Sequence, residues 1–425
     1  LQGHRLSRLV ERAYATSDFH RALFDEAGLA PGDVKGLADL PRIPFTTRDR
    51  WMDSQAENPP FGAMLTRAPE QAVRYHTTSG TTGRTPLRVL DLRLDWKWIA
   101  ECWCYAFHGF GIRPEDKIFF AFSYGTFIGF WGAHYGCEKM GCLVIPSGNM
   151  TTGQRVQMID EMGATVVCAT PTYALRLAQE GVNLGIDVRT SAVKRLILSG
   201  EPAGSIPATK RLLEEQWDAK AADTAGMTEI GTIMMFECDR QPGGTHVIED
   251  HFIEEVIDPA TGESVGYGEQ GERVVTSFGR GMIPLIRYRT RDLVVKIPHD
   301  RCGCGRTWDL YEGGIRGRVD DMLLIRGTNV YPRAVEAIVR EYPAVDEFQI
   351  HLYTAEGIRD EIEVLCEIRE GYEGQWDAVA RRLCHDLSTH NEGLGFAVHK
   401  VAHGTLPRFE LKARRVQDDR VVKGA

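Results

Sequence analysis

Between residues 117 and 199 the chain alternates short apolar runs with longer stretches of helical periodicity. The runs 117–122, 142–145, 165–169 and 195–199 are almost uniformly apolar, which fits strands covered on both faces. The intervening stretches 130–140, 154–162 and 171–180 space their apolar residues three and four apart, as amphipathic helices do. Strands alternating with helices predict a buried, mainly parallel sheet, in which ligands sit beyond the C-terminal strand ends. Upstream, Leu6, Leu9, Val10 and Ala13 predict a helix over 4–15. A second short helix is expected over 33–40, and Thr46, three residues before Asp49, predicts a capping-box helix start. From residue 250 the period shortens to two, at 253–258 and 271–276, which predicts an antiparallel, barrel-like segment. Gly313, Gly314 and Gly317 then mark a boundary. Beyond it, a helix (332–340), strands (348–352 and 361–367) and a second helix (376–387) predict a compact α+β unit. The expected fold is α/β, with a large N-terminal domain (1–318) and a small, mobile α+β C-terminal domain (319–425).

Composition narrows the class. The 425 residues are 43% hydrophobic and 26% charged, as in an ordinary globular protein. A formal charge of −9 argues against general nucleic-acid binding, which needs a basic footprint. No apolar run approaches the roughly 18 residues needed to cross a bilayer. Leu1-Gln2-Gly3-His4-Arg5 shows no signal-peptide pattern, so a cytoplasmic protein is expected; without an initiator Met, a few residues are expected to precede it. Ten cysteines in a chain this long do not read as a disulfide framework. Cys102, Cys104, Cys137, Cys142, Cys168 and Cys366 lie among apolar residues and are expected to be core thiols.

The densest candidate chemistry is Thr77-Thr78-Ser79-Gly80-Thr81-Thr82-Gly83-Arg84-Thr85-Pro86, with six hydroxyls, two glycines and a cation, after a short strand expected at 72–75. Glycines let the backbone approach a ligand closely. The exposed N–H groups and hydroxyls can then surround phosphate oxygens, with Arg84 adding charge-assisted contacts. The spacing is not that of a Walker A loop. Further along stand Gly200-Glu201-Pro202, Asp223 to Glu229 (Asp-Thr-Ala-Gly-Met-Thr-Glu) and Tyr288 to Leu293 (Tyr-Arg-Thr-Arg-Asp-Leu). After these come Gly317 to Pro332 (Gly-Arg-Val-Asp-Asp-Met-Leu-Leu-Ile-Arg-Gly-Thr-Asn-Val-Tyr-Pro) and Gly404 to Val416 (Gly-Thr-Leu-Pro-Arg-Phe-Glu-Leu-Lys-Ala-Arg-Arg-Val).

In that order, from Pro44 to Val416, these segments resemble the signature motifs of the adenylate-forming superfamily, and most closely its phenylacetate-CoA ligase branch. The resemblance implies ATP, Mg²⁺ and coenzyme A as cofactors and a role for each motif. Thr78, Ser79, Gly80, Thr81, Thr82, Gly83 and Arg84 would hold phosphates, with Arg84 where lysine is usual. Gly200, Glu201 and Pro202 would wall the adenine. Thr228 would contact the α-phosphate, and Glu229 would hold Mg²⁺, a hard cation suited to carboxylate oxygens. Asp292 would accept the ribose hydroxyls. Arg318 would contact ribose or phosphate, and Asp320 would be the hinge. Lys412 would be the catalytic lysine, neutralising charge that develops between carboxylate and phosphate. Leu411 replaces the glycine usual before that lysine, and Ala225 replaces an aromatic residue of the acyl pocket.

The stretch 123–136 resembles the branch's acyl-pocket segment, which makes Tyr124, Phe127, Trp131 and His134, with Ala225 and Gly226, the candidate acid pocket. Phe130 is assigned to the core. Flat aromatic walls suit a ring. The expected acid is therefore a compact aromatic one, and the expected reaction is aryl-CoA formation through acyl-AMP. A carrier-protein phosphopantetheine or an amine is the competing acceptor, a catalytically silent nucleotide-binding protein is the competing class, and a second copy of the chain is a candidate partner. Some relatives in this branch also hold zinc in the region of Cys238, His246, Cys302 and Cys304. Three thiols and an imidazole are a tetrahedral structural zinc set, although these spacings are not those of a finger. His251 is a competing ligand.

Overall fold

The computed structural model describes residues 1–78, 86–240, 243–355, 359–409 and 413–420, without the side chain of Pro202. The apolar runs form the parallel heart of one sheet, in the order Leu143–Pro146, Lys117–Phe120, Val166–Ala169, Arg195–Ser199 and Lys220–Met227. Side chains alternate across this sheet with period two. Ile118, Phe120, Cys168, Ile197 and Ala222 face a core that includes the helix Arg93–Gly109. Phe119, Val167, Leu196, Leu198 and Ala221 face the opposite core, under Thr152–Glu161 and Pro171–Leu184. With both faces covered, apolar residues are required at every position, which is why the runs are continuous.

From Lys220–Met227 the sheet turns antiparallel and continues through Thr232–Glu237, Gly244–Val247 and Leu310–Glu312 to Leu285–Ile297, Gln270–Ser277 and Phe252–Ile257. The antiparallel segment expected after residue 250 is present, joined to the central sheet through the long strand Leu285–Ile297. The short strand Gly317–Arg318 pairs with Asp292 and Leu293 at its side.

Three expectations are corrected. The 33–40 helix is replaced by two 3₁₀ turns, Pro31–Asp33 and Leu37–Arg42; Pro41 has no N–H to continue a helix. The helix Arg48–Glu57 is capped by Thr47, whose side chain accepts from Arg50 N. Thr46 instead bridges to Tyr288 and donates to Ile286 O at 2.7 Å, which ties the N-terminal segment to the sheet. The strand expected at 72–75 is Arg74–Thr77, paired with Arg88–Asp91.

After Arg318 the chain leaves the large sheet and enters the hairpin Leu323–Ile325 and Thr328–Val330. A four-stranded sheet follows, in the order Ala397–Val401, Arg359–Ile368, Val345–Ala355 and Val416–Asp419. The helices Pro332–Arg340 and Trp376–His390 share a separate core with it, including Val335, Val339, Phe348, Val364 and Leu383.

Candidate functional site

Strands Arg74–Thr77 and Arg88–Asp91 hold the two ends of the hydroxyl- and glycine-rich loop. Its residues Ser79, Gly80, Thr81, Thr82, Gly83 and Arg84 lie outside the described residues. Thr78, at the entry, is buried, and its Oγ1 accepts from Leu87 N and from Arg48 Nη2, both at 3.1 Å. The same Arg48 pairs with the Glu229 carboxylate. A cation from the first ordered helix after Pro44 therefore joins the loop entry to the Thr228-Glu229 turn. Thr228 and Glu229 follow the strand Lys220–Met227 and are both buried. Arg280 fixes their backbone: its Nη1 donates to Thr228 O at 3.0 Å and to Glu229 O at 2.8 Å. Its Nε donates at 2.7 Å to Asp91, and neither side chain of that pair is exposed. Arg48 and Arg280 are absent from the sequence reading. Their carboxylate partners, Glu229 and Asp91, lie roughly 180–190 residues away along the chain, and neither arginine belongs to a local motif.

At the end of Arg195–Ser199, Gly200 takes a left-handed conformation (φ 96°), and Pro202 opens a 3₁₀ turn. Glu201 accepts from Thr172 N at 2.9 Å and from Thr172 Oγ1 at 3.0 Å, at the start of Pro171–Leu184. It also accepts from Ala413 N, of the C-terminal segment, at 3.2 Å. Asp292 is buried, and its carboxyl is pushed up to about 6 by that burial, with Arg318 and Arg273 pulling the other way. Arg318 lies 3.4 Å from Asp292 and grips Asp320 through two 2.9 Å hydrogen bonds. One guanidinium thus links the proposed ribose acceptor to the proposed hinge.

In the candidate acid pocket the structure brings together Tyr124, Trp131 and His134. Tyr124 packs edge-on against Trp131 with centroids 4.6 Å apart, and its hydroxyl lies 3.0 Å from His134 Nδ1. Trp131 Nε1 donates to Gly125 O at 3.1 Å. Phe130 belongs to the core, as expected. Phe127 folds over its own Gly129 and has no ring contact with that trio among the described residues. Ala225 packs on the cluster of Met235, Val247 and Tyr311, apart from the one that Tyr124 and Trp131 pack on. Gly226 passes tight against the Thr232 carbonyl: a Cβ there would lie 2.6 Å from it.

The four candidate zinc ligands converge. Their donor atoms all lie within 4.8 Å of one another, with Cys238 Sγ 3.6 Å from Cys302 Sγ and Cys304 Sγ 3.3 Å from His246 Nε2. His246 Nδ1 lies 3.1 Å from Trp308 O, which turns Nε2 toward the thiols. His251 is engaged elsewhere, accepting from Trp98 Nε1 at 2.8 Å.

Lys412 lies outside the described residues. The chain on either side of it is anchored. Arg408 pairs with Glu367 at 2.6 Å, and Gly404 N and Leu406 N bond the same buried carboxylate. Arg415 pairs with Glu347 at 2.9 Å and with Glu336 at 3.2 Å.

A parallel sheet with a hydroxyl-rich loop, a buried Thr-Glu turn and a closing C-terminal unit defines an adenylate-forming enzyme. Residues 10–282 match the AMP-binding enzyme family, and residues 327–420 match the AMP-binding enzyme C-terminal domain. The chain belongs to this family. Within it, the chain is 37% identical to a phenylacetate-coenzyme A ligase of Pseudomonas putida, over 99% of this chain and 94% of that one. It is 36% identical to the Thermus thermophilus enzyme of the same name, over 98% and 96%. A 2-hydroxyisobutyryl-CoA ligase in its postadenylation state, with 2-HIB-AMP, superposes with a TM-score of 0.92 at 31% identity, covering 98% of this chain and 88% of that one. The same ligase in its thioesterification state, with 2-HIB-AMP and CoA, gives 0.73 at 32% identity and the same coverage. As a whole, the chain is thus more similar to that ligase in its postadenylation state than in its thioesterification state.

Proposed function

We propose that this protein is an ATP-dependent, AMP-forming acid–CoA ligase that acts on a small aromatic carboxylic acid. The observation that carries this reading is end-to-end similarity to phenylacetate-coenzyme A ligases, supported by the contacts of Arg48 with Thr78 and Glu229. The substrate carboxylate attacks the α-phosphate of ATP, giving acyl-AMP and pyrophosphate, and the CoA thiol then displaces AMP. Asp292 holds the ribose, Glu201 borders the adenine, Thr228 contacts the α-phosphate and Lys412 neutralises charge at the reacting oxygens. Tyr124, Trp131 and His134 offer the acid flat apolar walls and one polar edge.

Glu229 is the residue to hold Mg²⁺. Its buried carboxylate is a suitable ligand for a hard ion, which would take the place that Arg48 now holds against it. Bound there, the ion would draw charge from the phosphate oxygens. The cysteine–histidine cluster fits zinc. At Zn–S distances of about 2.3 Å a tetrahedral site has S–S edges of about 3.8 Å, close to the 3.6 Å between Cys238 and Cys302. Such an ion would be structural and would tie the strand Thr232–Glu237 to the 302–304 turn. The small domain begins after Arg318 and rotates about Asp320 between the two half-reactions.

The test is pyrophosphate release with a panel of acids, with and without CoA. Benzoate, anthranilate, hydroxybenzoates and phenylacetate should support release, palmitate should not, and CoA should yield thioester. Release confined to aliphatic acids would remove the aromatic assignment. Adenylation without any CoA thioester would favour a carrier-protein or amine acceptor.

A further inference from the structure

The helix Pro332–Arg340 of the small unit packs on the helix Pro207–Trp217 and the 3₁₀ turn Pro202–Ser205 of the large one. Arg333, in its first turn, crosses between them. Its Nη2 donates to Ser205 Oγ at 2.7 Å and to Gly313 O at 3.0 Å. Behind these partners lies Asp223, buried against Gly204 and Gly314: a Cβ on either glycine would come within about 3 Å of its carboxylate oxygens. Burial pushes the Asp223 carboxyl up to about 8, with the neighbouring Glu237 adding to the rise, and Arg333 is the largest opposing attraction. Burial in turn pulls the Arg333 guanidinium down to about 10, with Asp223 opposing. Glu237 is already served by Lys210, Asp223 N and Gly243 N. Arg333, half-buried, thus sits in a recess built from three separate parts of the large domain. An ion pair across this boundary, Arg211 with Glu341 at 2.8 Å, is exposed and of the kind worth little.

We propose that Arg333 is a positioning residue for adenylation: seated in the Ser205–Gly313–Asp223 recess, it latches the small domain in the adenylate-forming placement, and it must leave before the thioester forms. The inference rests on the CoA-ligase reading above. The latched placement is the one that superposes on a postadenylation ligase, and in it the C-terminal segment reaches Glu201 through Ala413. A placement as different as the thioesterification state cannot keep a side chain of one unit inside a recess of the other. Closure is held by the two hydrogen bonds to Ser205 and Gly313, and rehydration of the guanidinium on leaving offsets part of their loss, so the latch can open.

Two measurements on the full chain test this. In the first, Arg333→Ala is assayed for pyrophosphate release from acid and ATP, and separately for thioester formation from supplied acyl-AMP and CoA. Adenylation should slow by about tenfold or more while thioester formation holds or rises. Arg333→Lys should recover part of the loss, and Ser205→Ala should give a weaker version of the same split. Equal loss of both half-reactions, or no loss, overturns the latch. The second does not depend on activity. Cysteines at Arg211 and Glu341 are bridged with a short bifunctional maleimide, and the yield is read by mass spectrometry. Arg333→Ala should lower the yield several-fold, and an unchanged yield overturns the latch. If the parent protein releases no pyrophosphate with any acid, the functional reading fails, and cross-linking still decides the latch.

Discussion

Replacing Arg280 by methionine should be among the most damaging single changes in the large domain. Arg280 and Asp91 form an ion pair with no exposed surface on either side chain. Removing one partner of such a pair costs about 3–5 kcal/mol, because the other charge is left buried and uncompensated. Arg280 also holds the carbonyls of Thr228 and Glu229, and each lost hydrogen bond adds about 1 kcal/mol. The single variant should therefore lose about 5–7 kcal/mol. Asp91 Oδ2 and Arg280 Nη2 have no hydrogen-bond partner among the described residues, so the pair is incompletely satisfied even when intact. Removing both charges, as Asp91→Asn with Arg280→Met, should cost only about 2–3 kcal/mol and so restore most of the loss. Activity should not follow stability. The Thr228-Glu229 turn loses its anchor in both variants, so pyrophosphate release should fall by about ten- to a hundredfold in each, at roughly 1.4 kcal/mol per factor of ten. Urea denaturation followed by tryptophan fluorescence, alongside pyrophosphate release, measures both quantities. If the double variant is no more stable than the single, the two charges do not depend on each other. If the double variant is fully active, Arg280 does not set the turn.

Asp292 predicts a pH dependence. Its folded-state carboxyl is raised to about 6 from an ordinary 3.8, so its ionised form prevails only above about pH 6. The KM for ATP should rise as pH falls through 6, and Asp292→Asn should flatten that inflection at a uniformly higher KM. The raised value also means that a contribution to stability, complete below about pH 4, is lost as pH rises through 6. Asp292→Asn should accordingly gain up to about 3 kcal/mol on the parent above that pH. Metal analysis should find about one zinc per chain, lost in Cys302→Ser/Cys304→Ser; folded, active protein without metal would reject the four-ligand site. Asp320→Pro, which fixes φ at the proposed hinge, should leave one half-reaction working and stop the other. A fully active Asp320→Pro enzyme would place the turning point elsewhere.

The parallel strands were legible because burial on both faces leaves an unbroken apolar signature, as at 166–169. The small domain was legible from alternating strands and two amphipathic helices. The helix Arg93–Gly109 has no counterpart among the expected elements, although Trp96, Ile99, Trp103 and Phe107 recur at helical spacing. Its many aromatics and cysteines blur the polar face that marks a surface helix. Thr46 and Thr47 show the limit of local rules: both can cap, and a contact with strand residues more than 200 positions away decides which does. The four candidate zinc ligands were proposed from donor chemistry and from resemblance, and their distances were not legible, since Cys238 and Cys302 lie 64 residues apart along the chain. The partners of Arg48, Arg280 and Arg333 were invisible, because an arginine carries no signal of its partner until the fold supplies one.

Glu201 has a consequence for energetics. Its carboxylate accepts from Thr172, at the start of Pro171–Leu184, and from Ala413, in the C-terminal segment. With Glu201 in its proposed place beside the adenine, a single acceptor belongs to two equilibria, filling of the nucleotide site and docking of the small domain. Thermodynamic linkage makes their interaction mutual: whatever factor docking contributes to nucleotide affinity, nucleotide must return to docking. On that reading, opening of the small domain is timed by the state of the ligand, since a change in what occupies the nucleotide site alters the free energy of the closed arrangement by the same amount.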